Sequence, residues 1–480
     1  MDNDTRRLVA LAVTDAADEN GKTRSKLVGP LARAFDHLAA KEPALQAVAK
    51  LLGAGRFGRQ RILLEVETRL QEGLELEVKV RGPLATWIGG RLADGLQRSV
   101  SLHRRCLRRQ DGQFSFTIYQ PPIPSEAGLK VLGNVGIARA SGSRPVVTTA
   151  TLQVTARCQA DCAHCSAARH RSREKEELTT EEWKRVIRQT EQLGVVNIVF
   201  TGGEPLLRPD IYELISWVDP REATAMMFTN GLMLDHDHVA RLKEAGLYGL
   251  YVSLDSPDPE RHDALRQVSG CFQRATTGAV RVREQGMLVG ISTYATPERL
   301  HSGDMRRLIE LGRELGVYEI TIFDTVPTGR LLREEESRLL SPQDKEELIR
   351  MEEEFNADSS YPHIITQSKI NGPRGTGCFA GWYQFYMTAY GDMTPCDFTP
   401  LTFGNARREA VADIWGRLVS HPIYQGHCNH CRMQDPQFRA AYINRIPDRG
   451  PFPFPVELLD RALAREAAQA QPGVSTRLQP

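Results

Sequence analysis

The chain has 480 residues, of which 41% are hydrophobic and 25% charged, and its formal net charge is +1. That is length for two or three domains with sizeable cores, and so even a balance gives no electrostatic case for nucleic acid or an acidic membrane as the main partner, while leaving peripheral membrane contact open. Residues 8–13 form a short apolar run after Arg6 and Arg7, but Asp15 and Asp18 follow at once, so no secretory signal is expected. No stretch approaches the run of about 18 apolar residues that a membrane-spanning helix needs, and a cytoplasmic location follows as the expectation. Nine cysteines without an export signal point to metal or redox chemistry rather than disulfides. Seven fall into two groups, while Cys106 and Cys271 stand alone and read as small buried hydrophobes.

Residues 31–52, 60–73 and 87–107 have helical apolar spacing, so residues 1–120 are expected to form a mainly helical N-terminal domain. The last stretch ends in His103, Arg104, Arg105, Arg108 and Arg109, which reads as a solvated helix end that favours cations. A docking surface for an acidic partner or for lipid headgroups is the alternative. Glycine and proline punctuation marks residues 121–145 as a linker.

From residue 146 the pattern becomes strand, loop and helix in repetition. Strands are expected over 146–155, 195–200, 223–228, 247–254, 288–293 and 317–323. The first intervening helix has Thr179 as N-cap with Glu182 three residues on, a capping box, and Gly194 as its stop. Short apolar strands alternating with helices imply an α/β fold with a parallel sheet, and six units give a partial (β/α)6 barrel over residues 146–330. In such barrels the chemistry sits at the C-terminal ends of the strands. A further helix starts at Ser341 and Pro342. The region 331–450 then turns strand- and turn-rich and carries the second cysteine group. Residues 451–480, rich in Pro, Ala and Gln, read as a surface arm with partial disorder.

Directly after the first strand stand Cys158, Cys162 and Cys165, spaced C-x3-C-x2-C. A closed structural metal site takes four protein ligands, whereas three thiolates on a cubane iron–sulfur cluster leave one iron open. A zinc site of these cysteines plus His164 is the structural alternative. The next strand ends carry Thr201-Gly202-Gly203-Glu204-Pro205, then Thr229-Asn230-Gly231, then Ser253-Leu254-Asp255-Ser256. Glycines there admit close backbone approach to a ligand, and the hydroxyls and carboxylates supply hydrogen bonds.

On these motifs residues 146–324 resemble a radical S-adenosylmethionine (radical SAM) enzyme. The resemblance implies a 4Fe-4S cluster on Cys158, Cys162 and Cys165 whose open iron binds the amino and carboxylate groups of SAM. Reductive cleavage of SAM then yields a 5′-deoxyadenosyl radical that takes a hydrogen atom from substrate. It further implies that Gly202, Gly203 and Glu204 hold the methionyl amino group, that Ser253 lies near the ribose or carboxylate, and that Arg266 points towards SAM. A surface salt bridge is the competing role for Arg266. The family prefers an aromatic residue where this chain has His164, whose imidazole can stack near adenine.

The second group comprises Cys378, Cys396, Cys428 and Cys431. Between the first two, residues 383–389 read as a strand and Tyr390-Gly391-Asp392 as a turn, a hairpin that returns Cys396 towards Cys378. Spacing alone leaves zinc and iron–sulfur both open. Cys378-x12-Gly391-x4-Cys396, Phe403-Gly404-Asn405 and Ile414-Trp415 are similar to the SPASM/twitch auxiliary-cluster extensions, and no cysteine follows Cys431. The resemblance implies a twitch-type extension with one auxiliary 4Fe-4S cluster on these four cysteines. With all four bound the cluster relays an electron; with three it binds substrate directly.

The expected function is a radical SAM oxidoreductase acting on a small molecule, with the auxiliary cluster accepting an electron and a flavodoxin- or ferredoxin-type protein donating one. A ribosomal-peptide maturase of the same superfamily is the alternative, and the scarcity of strand signals in residues 1–110 weighs against its leader-binding module. A zinc-stabilised, non-enzymatic binding protein is the third reading. Asp324, Asp397 and His301 are polar residues at strand or loop ends, but each also reads as an ordinary surface or capping group, and no catalytic base is assigned.

Overall fold

The computed structural model describes residues 106–470 apart from 112, 124, 129, 132–146, 173, 334–337 and 449, and upstream of them residues 22–28, 62–70 and 76–81. The upstream segments are three strands, β1 (Lys22–Val28), β2 (Ile62–Leu70) and β3 (Leu76–Arg81), paired antiparallel in the order β1-β2-β3. The stretch expected to be a helix over 60–73 is therefore a strand. Its apolar residues Ile62, Leu64, Val66 and Leu70 alternate as well as they follow a helical face, and pairing on both sides selects the extended form. The stretches 31–52 and 87–105, also expected to be helical, lie outside the described residues. So do His103, Arg104 and Arg105 of the basic cluster. Arg108 and Arg109 are not at a helix end: they open β4 (Arg108–Gln110), which pairs with β5 (Gln113–Ser115).

All six expected barrel strands are present: β6 (Thr149–Thr155), β7 (Asn197–Gly202), β8 (Thr224–Thr229), β9 (Gly249–Ser253), β10 (Leu288–Ala295) and β11 (Glu319–Asp324). They lie parallel and adjacent in chain order. Helices Thr180–Gln192, His236–Glu244, Cys271–Glu284 and Asp304–Leu315 are among the crossovers. The first has the expected capping box between Thr179 and Glu182, and Gly194 follows it with φ of 98°. The sheet is wider than six strands. β12 (His363–Thr366) adds parallel to β11, while β13 (Gln384–Met387) adds parallel to β6 and forms the expected hairpin with β14 (Met393–Thr394), making nine strands.

Period-two alternation divides this sheet into two faces. Leu152, Ile198, Met227, Leu250, Ile291 and Ile320 point outward and are buried among the covering helices. The inward residues are hydroxyls and aromatics in register across the strands, such as Ser253 beside Ser292 and Ser292 beside Thr321. The barrel floor is filled from upstream. Ile118 is fully buried against Val199, Met226, Tyr251 and Leu288, the Tyr119 ring lies 5.2 Å from that of Tyr251, and Thr117 Oγ1 donates to Glu319 at 3.1 Å. Residues 132–146 of the expected linker lie outside the described residues.

Ser341 caps the helix Pro342–Asn356 as expected. The C-terminal stretch departs from the expected arm: β16 (Phe454–Pro455) pairs with β15 (Leu401–Thr402), and Val456–Ala470 is a helix anchored by the buried side chains of Val456 and Leu459. Cys271 is buried as expected, whereas Cys106 is half-buried. Among the described residues no helix is long and apolar enough to cross a membrane.

Candidate active site

The three-cysteine loop leaves β6 and is pinned by the loops of the following strands. The Gly203 N–H donates to the Thr155 carbonyl at 2.8 Å and the Glu204 N–H to the Arg157 carbonyl at 2.7 Å. Within the loop, Ala163 N–H donates to Leu265 at 3.1 Å, and Cys165 accepts from Arg330 N–H at 3.1 Å. Glycine at 203 is obligatory, because a Cβ there would lie 2.1 Å from the Arg157 carbonyl oxygen. Cys162 is buried, and Cys158 and Cys165 are half-buried. Burial pushes the Cys158 thiol up to about 11.

Glu204, expected on the SAM side, is bonded to the neighbouring loop. It is fully buried, and its carboxylate accepts from Thr229 Oγ1 at 2.9 Å, Asn230 N–H at 2.8 Å and Leu206 N–H at 3.2 Å. Burial pushes its carboxyl up to about 7. The side chain thus ties the β7 loop to the β8 loop, while Gly202 lines the central cavity. Ser253 also lines that cavity, with Ser292 Oγ 3.2 Å from its own Oγ.

Arg266 makes no surface salt bridge. It is buried, its Nε lies 2.6 Å from Asp255 Oδ2, and its Nη1 donates towards Cys162 Sγ at 3.7 Å. Burial raises the Asp255 carboxyl, but Arg266, His164, Arg299 and His262 together outweigh it and hold the group well below the usual carboxylate range. The same Asp255 oxygen is 3.3 Å from His164 Nε2, and the His164 ring sits 4.1 Å from the Tyr294 ring. Burial pushes His164 down to about 4, so the imidazole is neutral near pH 7. Its buried Nδ1 has no hydrogen-bond partner among the described residues. Arg299 completes the cluster, its guanidinium 5.0 Å over the Tyr294 ring. Sequence reasoning missed Asp255, Tyr294 and Arg299 as site residues. Only Asp255 stood in a motif; Tyr294 lies at the end of β10 and Arg299 in the short helix that follows, with no spacing signal.

The second group is assembled from three segments. Cys378 N–H donates to the Cys428 carbonyl at 2.7 Å, and Cys396 follows β14, its Sγ 3.3 Å from Thr399 Oγ1. Cys378, Cys396 and Cys431 are buried, whereas Cys428 is half-buried with its Sγ 3.4 Å from the His430 ring. Burial, reinforced by the neighbouring Cys378, pushes the Cys396 thiol up to about 12. Among the described residues no three His, Cys, Asp or Glu side chains gather closely enough to share one metal ion. A cubane spreads its thiolates over separate irons.

One cavity of about 510 Å³ runs between the two groups, with Cys165 in one wall and Cys378, Cys396 and Cys431 in another. Asp397 and Asp324 also line it. Asp397 accepts from Gln384 Nε2 at 2.9 Å, and desolvation pushes its carboxyl up to about 6. Asp324 is already engaged by Ser368 Oγ at 2.6 Å and by Gln434 Nε2 at 3.4 Å. His301 is a capping-side group, its Nε2 2.7 Å from Asp344 at the start of the helix Pro342–Asn356.

Residues 152–311 match the family model of the radical SAM superfamily, and residues 378–432 match the SPASM iron–sulfur cluster-binding domain. The AdoMet-dependent heme synthase of Methanosarcina barkeri is 30% identical over 307 residues, covering 58% of this chain and 86% of that protein. The PqqA peptide cyclase of Gluconobacter oxydans is 27% identical over 280 residues, covering 57% of this chain and 78% of the relative. The crystal structure of Streptococcus suis SuiB bound to S-adenosylmethionine aligns at 17% identity with a TM-score of 0.49, covering 71% of this chain and 78% of that one.

Proposed function

The chain belongs to the radical SAM superfamily, and from that premise we propose that it is an oxidoreductase removing two electrons and two protons' worth of hydrogen from a substrate held between its two cysteine groups. In this reading Cys158, Cys162 and Cys165 hold the SAM-binding 4Fe-4S cluster, and Cys378, Cys396, Cys428 and Cys431 hold the auxiliary one. The residues fit these groups: Gly203 lets the three-cysteine loop lie against the β7 loop, where a Cβ would meet Arg157, His164 keeps a buried ring nitrogen without a hydrogen-bond partner among the described residues, and three of the four later cysteines line the same cavity as Cys165. When bound, SAM and its cluster supply a 5′-deoxyadenosyl radical that takes a hydrogen atom from an unactivated carbon, and the auxiliary cluster supplies an acceptor for the electron that remains.

The chain's own part is to orient the substrate, exclude water and move one proton. The observation that carries the reading is the single cavity bordered by both cysteine groups, with Asp397 adjoining Cys396. Asp397 is the base we propose. Its carboxyl titrates near 6, so it is ionised at neutral pH yet close enough to that range to take a proton. The substrate then loses one hydrogen atom, one proton to Asp397 and one electron, which balances a two-electron oxidation. An exogenous one-electron donor of flavodoxin or ferredoxin type starts each turnover.

For the substrate, a peptide stands as the second reading beside a small molecule. The three-stranded antiparallel sheet of β1–β3 supports it, since the paucity of strands upstream was the feature that weighed against a leader-binding module. The test of the oxidation reading is Asp397→Asn under reducing, anaerobic conditions. SAM is still cleaved to 5′-deoxyadenosine, while substrate oxidation falls by roughly 10²–10⁴-fold, the usual worth of a general base. In the wild type the oxidation rate declines as pH drops through about 6, and this limb is absent from the variant. Unchanged oxidation in Asp397→Asn removes Asp397 from the mechanism.

A further inference from the structure

Two side chains outside the three-cysteine loop aim hydrogen-bond donors at its thiols. Arg266 Nη1 stands 3.7 Å from Cys162 Sγ, and Asn230 Nδ2 stands 3.9 Å from Cys158 Sγ. Both residues are buried, and both are held in place by other contacts. Arg266 uses Nε for Asp255 at 2.6 Å, and the Asp255 backbone N–H is in turn fastened to His262 Nδ1 at 3.1 Å. Asn230 gives its backbone N–H to Glu204 at 2.8 Å and accepts from Leu232 N–H through Oδ1 at 2.9 Å. That orientation turns its amide nitrogen towards the sulfur. Neither contact is a by-product of chain proximity, because the partners are 104 and 72 residues apart in the chain.

We infer that Arg266 and Asn230 set the reduction potential of the cluster on Cys158, Cys162 and Cys165, Arg266 as a charged donor and Asn230 as a neutral one. The inference rests on the reading of those cysteines as cluster ligands. One-electron reduction adds negative charge to the cluster and its thiolates, so a fixed donor at sulfur stabilises the reduced form more than the oxidised form and raises the potential. A guanidinium stays protonated and acts through a poorly screened interior, which makes Arg266 the stronger of the two. The guanidinium meets Asp255 through Nε and Cys162 Sγ through Nη1. Arg266 thus acts on the thiolate of Cys162 beyond any contact with SAM, and Glu204 acts at one remove by orienting Asn230.

The test is an anaerobic redox titration of the reconstituted full chain without SAM, followed by electron paramagnetic resonance, with the auxiliary cluster as internal reference. Two variants are compared with the wild type: Asn230→Ala, and Arg266→Gln combined with Asp255→Asn so that no carboxylate is stranded. The double variant is expected to lower the midpoint of the first cluster by about 59 mV, a tenfold change in a one-electron equilibrium. Asn230→Ala lowers it by a smaller step, and the auxiliary midpoint does not move. Should the double variant fail to retain its cluster, Arg266→Lys replaces it, with a smaller fall expected because charge is kept and the fork geometry lost. Wild-type midpoints in the variants, or a rise in any of them, overturn the inference. A wild-type protein with no signal from the first cluster would instead defeat the ligand assignment beneath it.

Discussion

The two cysteine groups border one cavity but are built on opposite plans. Cys158, Cys162 and Cys165 lie in one loop, locked by backbone hydrogen bonds to neighbouring strand-end loops and addressed by side-chain donors from Asn230 and Arg266. Cys378, Cys396, Cys428 and Cys431 come from three segments that meet beside the β13–β14 hairpin, and three of them are buried. In the proposed reading, the first plan would keep an open iron within reach of polar groups. The second would surround a complete ligand set with protein, as suits a group that passes an electron without binding substrate. A reactive centre and a relay need different degrees of enclosure, and the two groups differ in that respect.

The largest effect should come from the first group. Cys158→Ala, Cys162→Ala and Cys165→Ala are each expected to abolish reductive cleavage of SAM to 5′-deoxyadenosine, measured by chromatography of quenched reactions; wild-type turnover in any one breaks the contrast at its root. Cys396→Ala sharpens it from the other side, leaving SAM cleavage while the oxidised product disappears. Product at normal yield in that variant would make the second group structural. The smallest effect is a control. Thr179→Ala removes the capping box of the helix Thr180–Gln192, whose Glu182 is also bonded to Arg407 at 2.8 Å. It should cost about 1 kcal/mol of stability in denaturant unfolding, with the iron content of both groups unchanged.

The barrel was legible in the sequence because each strand carries an apolar outer face and ends in glycine or a polar turn, signals that act within one element. Six strands and the β13–β14 hairpin follow from that. The extra parallel partners β12 and β13 did not, since sheet width depends on which distant segments meet. Residues 62–70 were misread because their apolar positions satisfy both periods, and only pairing with β1 and β3 decides. At the site, the motif cysteines and glycines were legible as local patterns. Glu204 was legible in its motif, but its structural bonds were not, because its three donors come from the β8 strand end and its own turn. Of the two roles open for Arg266, facing SAM or a surface salt bridge, burial against Asp255 removes the second. Asp397 is proposed as the base because it lines the cavity, which no spacing announces.

The account turns on two iron–sulfur clusters facing one cavity, and metal analysis of anaerobically reconstituted protein tests this most directly. Iron, sulfide and zinc are measured in the wild type and in the variant with Cys158, Cys162 and Cys165 all changed to Ala. The account predicts about eight irons per wild-type chain, about four in the variant, and no zinc in either. Four irons with one zinc in the wild type, or an iron content that the triple variant leaves unchanged, would contradict it.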